Sequence, residues 1–325
     1  MSQLPIIAVT AAKGGTGKST LTANLAACLA RVGMRPLCLD LDAQGSLTRF
    51  LANTNTVETM TRLATLNDRE AMLREAEHLC SFSMPEERSV VALIEGKKVD
   101  PIVAHGVGLV GFSDKANNRL NDLGTQRNQA KFIEGLQATI EAYQPTIVFI
   151  DTPPSNQDAA AFAINNLASH LVLPLEPSEE GVRGVLIAEE QRQAVLRIRQ
   201  QQGWKKDLVV AGVVPCAVSN CNIARISLNI ARAVFGKLVT SSIDHAVRIK
   251  EANTEGLPII IYEEKLKGIK PKYQVGGASF HKSGRQMMQV AYEIGVNLGL
   301  FPAAPEPIDS SQDVDQSTAS TAQAQ

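Results

Sequence analysis

The residues best suited to chemistry lie in one short stretch near the start of the chain. Residues 11–20 have the sequence AAKGGTGKST, directly after the apolar run 5–10 and directly before a helical pattern. A strand that ends in a glycine-rich turn and leads into a helix directs several backbone N–H groups and the positive helix end at one point, which favours an anion. The stretch therefore predicts a phosphate-binding loop.

Several residues of this stretch fit the handling of a nucleotide. Gly14, Gly15 and Gly17 can take positive φ and let the backbone close on phosphate oxygens. Lys18 is spaced to reach the β- and γ-phosphates, and the hydroxyl of Ser19 is spaced to ligate Mg²⁺. The stretch thus predicts a nucleotide site with Mg²⁺, against the alternative of a glycine-rich turn that only caps a helix.

The standard spacing of a phosphate-binding motif is missed at one position. The pattern G-x-x-x-x-G-K-[ST], counted back from Lys18, requires a glycine where the chain has Ala12. Lys13 adds a second lysine at the front of the loop, although Lys18 already serves the phosphate chain. We expect Lys13 either to reach a nucleotide held by another subunit or to be a solvated surface lysine.

Two aspartates follow runs that predict buried parallel strands. Residues 37–41 and 146–150 form these runs, and Asp42 and Asp151 come directly after them. Because ligands of parallel sheets bind beyond the carboxyl ends of the strands, both carboxylates are expected beside the loop. Four apolar residues that lead into an aspartate are the Walker B pattern, which assigns Asp151, together with Ser19, to Mg²⁺. For Asp42 the alternative is a carboxylate that caps the next turn.

Four segments together resemble the ParA/MinD family of deviant Walker ATPases, and most of all its short ParA/Soj-type partition proteins. They are KGGTGKS in the loop, DLDAQGSLT from residue 40, DTPPS from residue 151 and VRIKEANTEGLP from residue 247. The corresponding family patterns include KGGxGK[ST], DxDPQG and VRLSEAPSHGKPV. Ala43 replaces the family's proline and Ser46 its frequent asparagine. The resemblance extends over nearly the whole chain except residues 51–88 and the C-terminal tail.

The resemblance implies a role for individual residues. The front lysine, Lys13, would cross an ATP-sandwiched dimer interface to the partner's phosphates, and Asp42 would orient the attacking water. With Lys18 they form the expected catalytic set for hydrolysis of ATP to ADP and phosphate, with ATP and Mg²⁺ as cofactors. The expected nucleotide-binding residues are Gly14, Gly15, Thr16, Gly17, Lys18, Ser19, Thr20 and, for the adenine, Pro215.

Alternating strand and helix patterns predict an α/β fold, with the doubly wound, mostly parallel sheet of a P-loop NTPase of deviant Walker type. We expect a single ATPase domain over 1–301, with a helical insertion at about 51–88 and a disordered polar tail over 302–325. The insertion is interpreted as packed rather than as a partner surface. Its helix, capped by Asn67 or Asp68, would turn one apolar face inward: Met72, Leu73, Ala76 and Leu79.

Composition narrows the class of protein. The 325 residues are 44% hydrophobic and 20% charged, which suits one large α/β domain. Lys plus Arg is 32 against 33 for Asp plus Glu, so net charge alone argues neither for nor against nucleic acid. Five scattered cysteines indicate reduced, buried thiols. No apolar run approaches the ~20 residues of a membrane span, which favours a cytoplasmic protein.

Basic residues are concentrated between positions 237 and 285, with nine Lys or Arg against five Asp or Glu. Such a segment binds DNA phosphates without reading bases, and its binding weakens with salt. The alternative is a solvated basic face. The expected DNA-binding residues are Arg248, Lys250, Lys265, Lys267, Lys270 and Lys272.

The resemblance implies a ParA-type ATPase for plasmid or chromosome partition. Its expected partners are a second copy of itself in an ATP-sandwich homodimer, nonspecific DNA, and a ParB-like centromere-binding protein that stimulates hydrolysis. It would be associated with the nucleoid. About a dozen residues precede the loop, so we expect the short form without an N-terminal helix-turn-helix.

Three other functions remain open. One is ParA-like positioning of a protein cargo. A MinD-like membrane-associated regulator is disfavoured, since the tail lacks the apolar periodicity of an amphipathic helix, and no membrane partner is expected. An electron-transfer ATPase of the nitrogenase-reductase type would need cluster cysteines at the dimer face.

Overall fold

The computed structural model describes residues 4–52, 62–66, 68–80, 84–154, 158–204, 207–266, 273–275 and 278–303. Its centre is a seven-stranded sheet with strand order β3-β4-β2-β5-β1-β6-β7. The strands are β1 Ile6–Val9, β2 Pro36–Asp40, β3 Ile102–Ala104, β4 Val107–Val110, β5 Ile147–Asp151, β6 His170–Leu175 and β7 Val209–Pro215. The predicted doubly wound, mostly parallel sheet is confirmed.

The pairing brings the carboxyl ends of the three central strands together. β1 lies between β5 and β6, β2 pairs with β5, and all of these pairs are parallel. Asp151 is in register with Val9 on one side and with Asp40 on the other. Strands β2 and β5 are buried along their whole length, as their apolar runs predict.

Helices cover both faces of the sheet. They are α1 Lys18–Arg31, α2 Ser46–Ala52, α3 Arg69–Cys80, α4 Val90–Ile94, α5 Ala116–Arg119, α6 Gln126–Tyr143, α7 Asp158–Phe162, α8 Glu179–Gln201, α9 Asn222–Phe235, α10 Val247–Thr254, α11 Ile259–Lys265 and α12 Lys282–Asn297. Apolar side chains of α1, α10, α11 and α12 form one core cluster. Those of α4, α6 and α7 form a second cluster, and α8 and α9 pack in a third with β6 and β7.

The structure departs from the predicted elements in three places. Antiparallel β3 at the sheet edge was not predicted, because its three residues are too short to give a periodic signal. The predicted helix over 159–168 has its second half, Ala163–Leu167, in π-helical form. The last helix begins at Lys282 rather than at 279, after a hairpin of β8 Tyr273–Val275 and β9 Ala278–Phe280.

The insertion contains the predicted helix, but two of the four residues of its predicted inward face are exposed. Asp68 Oδ2 accepts a hydrogen bond from Ala71 N at 2.9 Å, so the expected cap is present. Met72 and Leu73 are 38% and 52% exposed, which contradicts an inward apolar face at these two positions. The side chains of Ala76 and Leu79 lie outside the described residues, as do Asn67 and all of the tail beyond 303.

Two further properties follow from the described part of the chain. No helix there is both long and apolar enough to cross a membrane. Cys28 and Cys38 are buried free thiols as predicted, whereas Cys221 is exposed, which corrects the expectation of uniformly buried cysteines.

Candidate functional site

The loop of residues 10–17, called here the phosphate loop, joins β1 to α1 in the predicted way. Gly15 and Gly17 have φ of 77° and 84°, a region that strongly favours glycine, whereas Gly14 does not use positive φ. Gly17 is the N-cap of α1 and supplies no side chain to it. The N–H groups of the first helical turn therefore remain available to an anion.

The inner side of the phosphate loop is open to a ligand. A Cβ placed on Gly14, Gly15 or Gly17 would meet no other atom within 4 Å. Lys18 is 6% exposed, and its Nζ donates to the carbonyl of Lys13 at 3.4 Å, which holds the ammonium within the loop. Backbone donors and one buried ammonium thus surround a space that suits a phosphate chain.

The buried carboxyl group of Asp151 is suited to bind a cation. Both of its carboxyl oxygens are buried, and neither accepts a hydrogen bond of standard geometry from the described residues. Burial raises the pKa of Asp151 well above its usual value, and Asp40 raises it further, whereas Ser19 and Lys18 lower it. A divalent cation between the hydroxyl of Ser19 and this carboxylate would satisfy the orphaned oxygens.

Asp40 organises the segment that carries Asp42. Its Oδ2 accepts from Thr48 N at 2.8 Å and from Thr48 Oγ1 at 2.6 Å, and its Oδ1 accepts from Asp42 N at 3.2 Å. Burial raises the pKa of Asp40 to about 6. Thr48 Oγ1 in turn accepts from Phe112 N, so this carboxylate also ties the segment to the end of β4. Asp40 is a positioning residue that the sequence analysis did not assign.

Asp42 forms the turn foreseen as its alternative role. Asp42 Oδ1 accepts from Gln44 N at 2.9 Å, and the side chain is almost fully buried. Gly45 completes the turn at φ 58°, where a Cβ would lie only 2.9 Å from Phe112. One carboxylate oxygen of Asp42 holds the loop, which leaves Oδ2 for a ligand.

Lys13 lies on the outside of the phosphate loop, and its ammonium pairs with the carboxylate of Glu180 at the start of α8. The hydrogen bond that Lys13 donates to Glu180 raises the pKa of Lys13. The two side chains are 62% and 70% exposed, so water screens the pair and it is easily broken.

A cleft of about 370 Å³ continues from the phosphate loop toward the end of β7. Pro215, the expected adenine contact, is buried outside this lining, and its carbonyl accepts from Ile243 N. The next two residues, Cys216 and Ala217, line the cleft instead. The adenine contact at Pro215 stays a prediction, and the cleft lining includes the two residues that follow it.

The expected DNA-binding residues divide into three groups. Arg248 on α10 is half-buried, and Lys265 at the end of α11 is exposed. Lys250 is exposed but lines the nucleotide cleft together with Asn253. Lys267, Lys270 and Lys272 lie outside the described residues.

Sequence comparison agrees with this geometry. A family model described as AAA domain matches residues 4–208. The chain is 26% identical over 270 residues to the sporulation initiation inhibitor protein Soj of Bacillus subtilis, which covers 81% of this chain and 93% of that protein. It is 28% identical over 290 residues to the chromosome partitioning protein ParA of Myxococcus xanthus, covering 87% and 88% respectively.

Solved structures share the fold. Apo McdA from Cyanothece superposes with a TM-score of 0.62 at 17% identity, covering 90% of this chain and 99% of McdA. The septum site-determining protein MinD from Pyrococcus horikoshii, complexed with Mg-ADP, gives 0.53 at 18% identity, covering 90% and 98%.

Proposed function

Because this chain belongs to the AAA-domain family and is an ATPase of the ParA/MinD type, we propose that it partitions DNA by binding it nonspecifically as an ATP-bound dimer. A ParB-like centromere-binding protein would stimulate hydrolysis and release the DNA. The proposed location is the nucleoid, and the proposed extent of the ATPase domain is residues 1–301. The relative ParA of Myxococcus xanthus, whose name describes a chromosome partitioning protein, supports this function over the other members of the fold class.

The observation that carries the proposal is a phosphate loop with one lysine inside and one outside. Lys18 is buried within the loop, whereas Lys13 reaches out of it and is held only by an exposed carboxylate. Following the resemblance to deviant Walker ATPases, we assign Lys13 to the phosphates of a second copy, which it would reach after its exposed pair with Glu180 breaks.

In the proposed mechanism the protein supplies position and charge. Lys18 and the first N–H groups of α1 bind the β- and γ-phosphates, and Thr16 and Thr20 border them. Ser19 and Asp151 would hold Mg²⁺, which would neutralise negative charge at the phosphates. Asp42 orients the water for in-line attack, and Lys13 of the other subunit offsets the charge that develops on the γ-phosphate.

The basic residues of α10 and α11 carry the DNA-binding part of the proposal. Arg248 and Lys265 lie on consecutive helices, and Lys267, Lys270 and Lys272 follow directly in the sequence. Ammonium and guanidinium groups that contact phosphates position a protein on DNA without selecting a sequence. A partition ATPase that must move over any part of a nucleoid requires this kind of binding.

The test is binding of the purified protein to an arbitrary DNA duplex, with ATP and with ADP, at low and moderate salt. We expect tight binding only with ATP, and a loss of affinity with rising salt that is linear on logarithmic axes. No binding in either nucleotide state would refute partition by DNA binding. Sedimentation with anionic vesicles in the same buffers would then test the MinD-like alternative.

A further inference from the structure

Two polar side chains join the first turns of α1 to the helices that carry the basic residues. Asn253, near the end of α10, donates from Nδ2 to Thr20 Oγ1 at 2.9 Å. One turn further along α1, Asn24 Oδ1 accepts from Ile259 N, the first residue of α11, at 2.7 Å. Asn24 also donates to the carbonyl of Thr20 at 2.8 Å. The phosphate-loop helix is therefore tied to both sides of the junction between α10 and α11.

The direction of the hydrogen bond from Asn253 determines whether the Thr20 hydroxyl can donate to a ligand. Its hydroxyl accepts from Asn253, so its own proton stays available for an acceptor. Thr20 lines the nucleotide cleft beside Gly17. Phosphate oxygens are acceptors only, and a hydroxyl that already accepts from an amide is oriented to donate to them.

Asn253 has a second polar atom at the same place. Its Oδ1 is buried, with no hydrogen-bond partner among the described residues, although the residue lines the cleft. The segment around it resembles VRLSEAPSHGKPV, in which proline occupies the corresponding position. A proline has no side-chain donor, so the link to Thr20 is particular to a chain with asparagine here.

We propose that Asn253 is a positioning residue that orients the Thr20 hydroxyl toward a nucleotide phosphate and transmits nucleotide occupancy to α10. The transmission of nucleotide occupancy to α10 rests on the proposed function, because it assumes that Arg248 on this helix contacts DNA. When a phosphate engages Thr20, the hydrogen bond from Asn253 is strengthened by the polarised hydroxyl, which fixes the end of α10. Without nucleotide, the link is an ordinary neutral hydrogen bond.

The first experiment measures nucleotide affinity by titration with a fluorescent ATP analogue. Asn253→Ala is expected to weaken binding about threefold to tenfold, the effect of one hydrogen bond. Asn253→Asp is expected to weaken it more, because the carboxylate accepts the Thr20 proton and adds negative charge beside the phosphates. The matched control is Thr254→Ala on the same helix, whose hydroxyl donates only to the carbonyl of Lys250. Wild-type nucleotide affinity in Asn253→Ala would overturn the proposal. A nucleotide affinity in Asn253→Asp equal to or higher than that in Asn253→Ala would also overturn it.

A double-mutant cycle separates positioning from general packing. If Asn253 acts through Thr20, then adding Asn253→Ala to Thr20→Ala causes no further loss of nucleotide affinity. Full additivity of the two losses would contradict the link. Thermal unfolding of each variant shows whether the fold is retained, and the conservative Asn253→Asp provides a second variant of nearly unchanged volume.

The second experiment measures DNA affinity at saturating ATP and at saturating ADP. We expect the ratio of the two affinities to fall severalfold in Asn253→Ala and to stay at the wild-type value in Thr254→Ala. An unchanged ratio in Asn253→Ala would overturn the transmission. If the wild type itself shows no ATP-dependent DNA binding, the proposed function fails, and the nucleotide titration and the double-mutant cycle decide the role of Asn253 without it.

Discussion

The nucleotide site differs in construction from the basic surface, a name used here for the proposed DNA contacts Arg248 on α10 and Lys265 on α11. The site collects short segments at the carboxyl ends of β1, β2 and β5, and its charged groups are largely buried: Lys18, Asp40, Asp42 and Asp151. On these two helices Lys265 is exposed and Arg248 is half-buried. A buried group is fixed by its partners, so its loss is expected to abolish a step. An exposed group is one of several that contribute to binding, so its loss is expected to weaken binding only in part.

The largest effect is expected for Lys18→Ala. The change removes a buried ammonium from the phosphate loop, and charge-assisted hydrogen bonds to phosphate are among the strongest in proteins. We expect nucleotide affinity to fall at least about 100-fold in equilibrium titration, since more than one such bond is lost. Lys98→Ala, which removes an exposed lysine paired with Asp100, is the control and should bind normally. Normal ATP affinity in Lys18→Ala would contradict the assignment of the phosphate loop as the nucleotide-binding site.

Asp42→Ala is expected to separate binding from turnover. In the proposed mechanism the carboxylate orients water without contacting the phosphates, so ATP-dependent dimerisation should persist while hydrolysis falls about 100-fold or more. Phosphate release and sedimentation velocity measure the two properties on the same sample. A variant that hydrolyses ATP at the wild-type rate would exclude Asp42 from the mechanism.

The buried site should also respond to pH through Asp40. Its pKa is raised from 3.8 to about 6, so the folded state binds the proton more tightly than the unfolded state. Stability due to this group is therefore greatest in acid and is lost as pH rises between about 4 and 6. Relative to Asp40→Asn, the wild type should lose about 2 kcal/mol in the free energy of unfolding between pH 4 and pH 7.

Urea unfolding at the two pH values measures this difference, in nucleotide-free protein with a chelator present. The Asp40→Asn variant is the reference for the wild type, because it removes the titrating carboxyl group but keeps the side-chain shape and an acceptor for Thr48 N. A difference between the two proteins that does not change with pH would show that the carboxylate titrates as it does in water.

The smallest effects are expected on the basic surface. Arg248→Ala or Lys265→Ala should each weaken DNA binding severalfold and reduce the slope of log affinity against log salt by about 1. Nucleotide affinity should be unchanged in Lys265→Ala. A salt slope equal to the wild type in both variants would place the DNA contacts elsewhere.

The sequence predicted the buried site more completely than the surface, for a physical reason. Lys18, Ser19 and Asp151 belong to segments whose strand and helix patterns fix where the side chains must lie. The role of Asp40 was not predicted, because its partner Thr48 and the bond from Phe112 become neighbours only when the chain folds. The pair of Lys13 with Glu180 likewise joins residues far apart in sequence.

The locations of surface side chains were not predicted, because charge alone does not indicate which way a side chain faces. Lys250 and Lys265 look alike in the sequence, yet Lys250 lines the nucleotide cleft. Met72 and Leu73 follow a helical apolar pattern and are nevertheless exposed, since no partner element in the described chain covers them. For such residues the tertiary arrangement decides, and local pattern does not contain it.

The central claim is that the nucleotide site controls the basic surface. The most direct test is the affinity of the protein for a non-hydrolysable ATP analogue, measured with and without saturating duplex DNA. Linkage requires that DNA strengthen analogue binding by the same factor by which the analogue strengthens DNA binding, and we predict a factor of at least about five. Equal analogue affinity with and without DNA would contradict the account, even if each ligand bound tightly on its own.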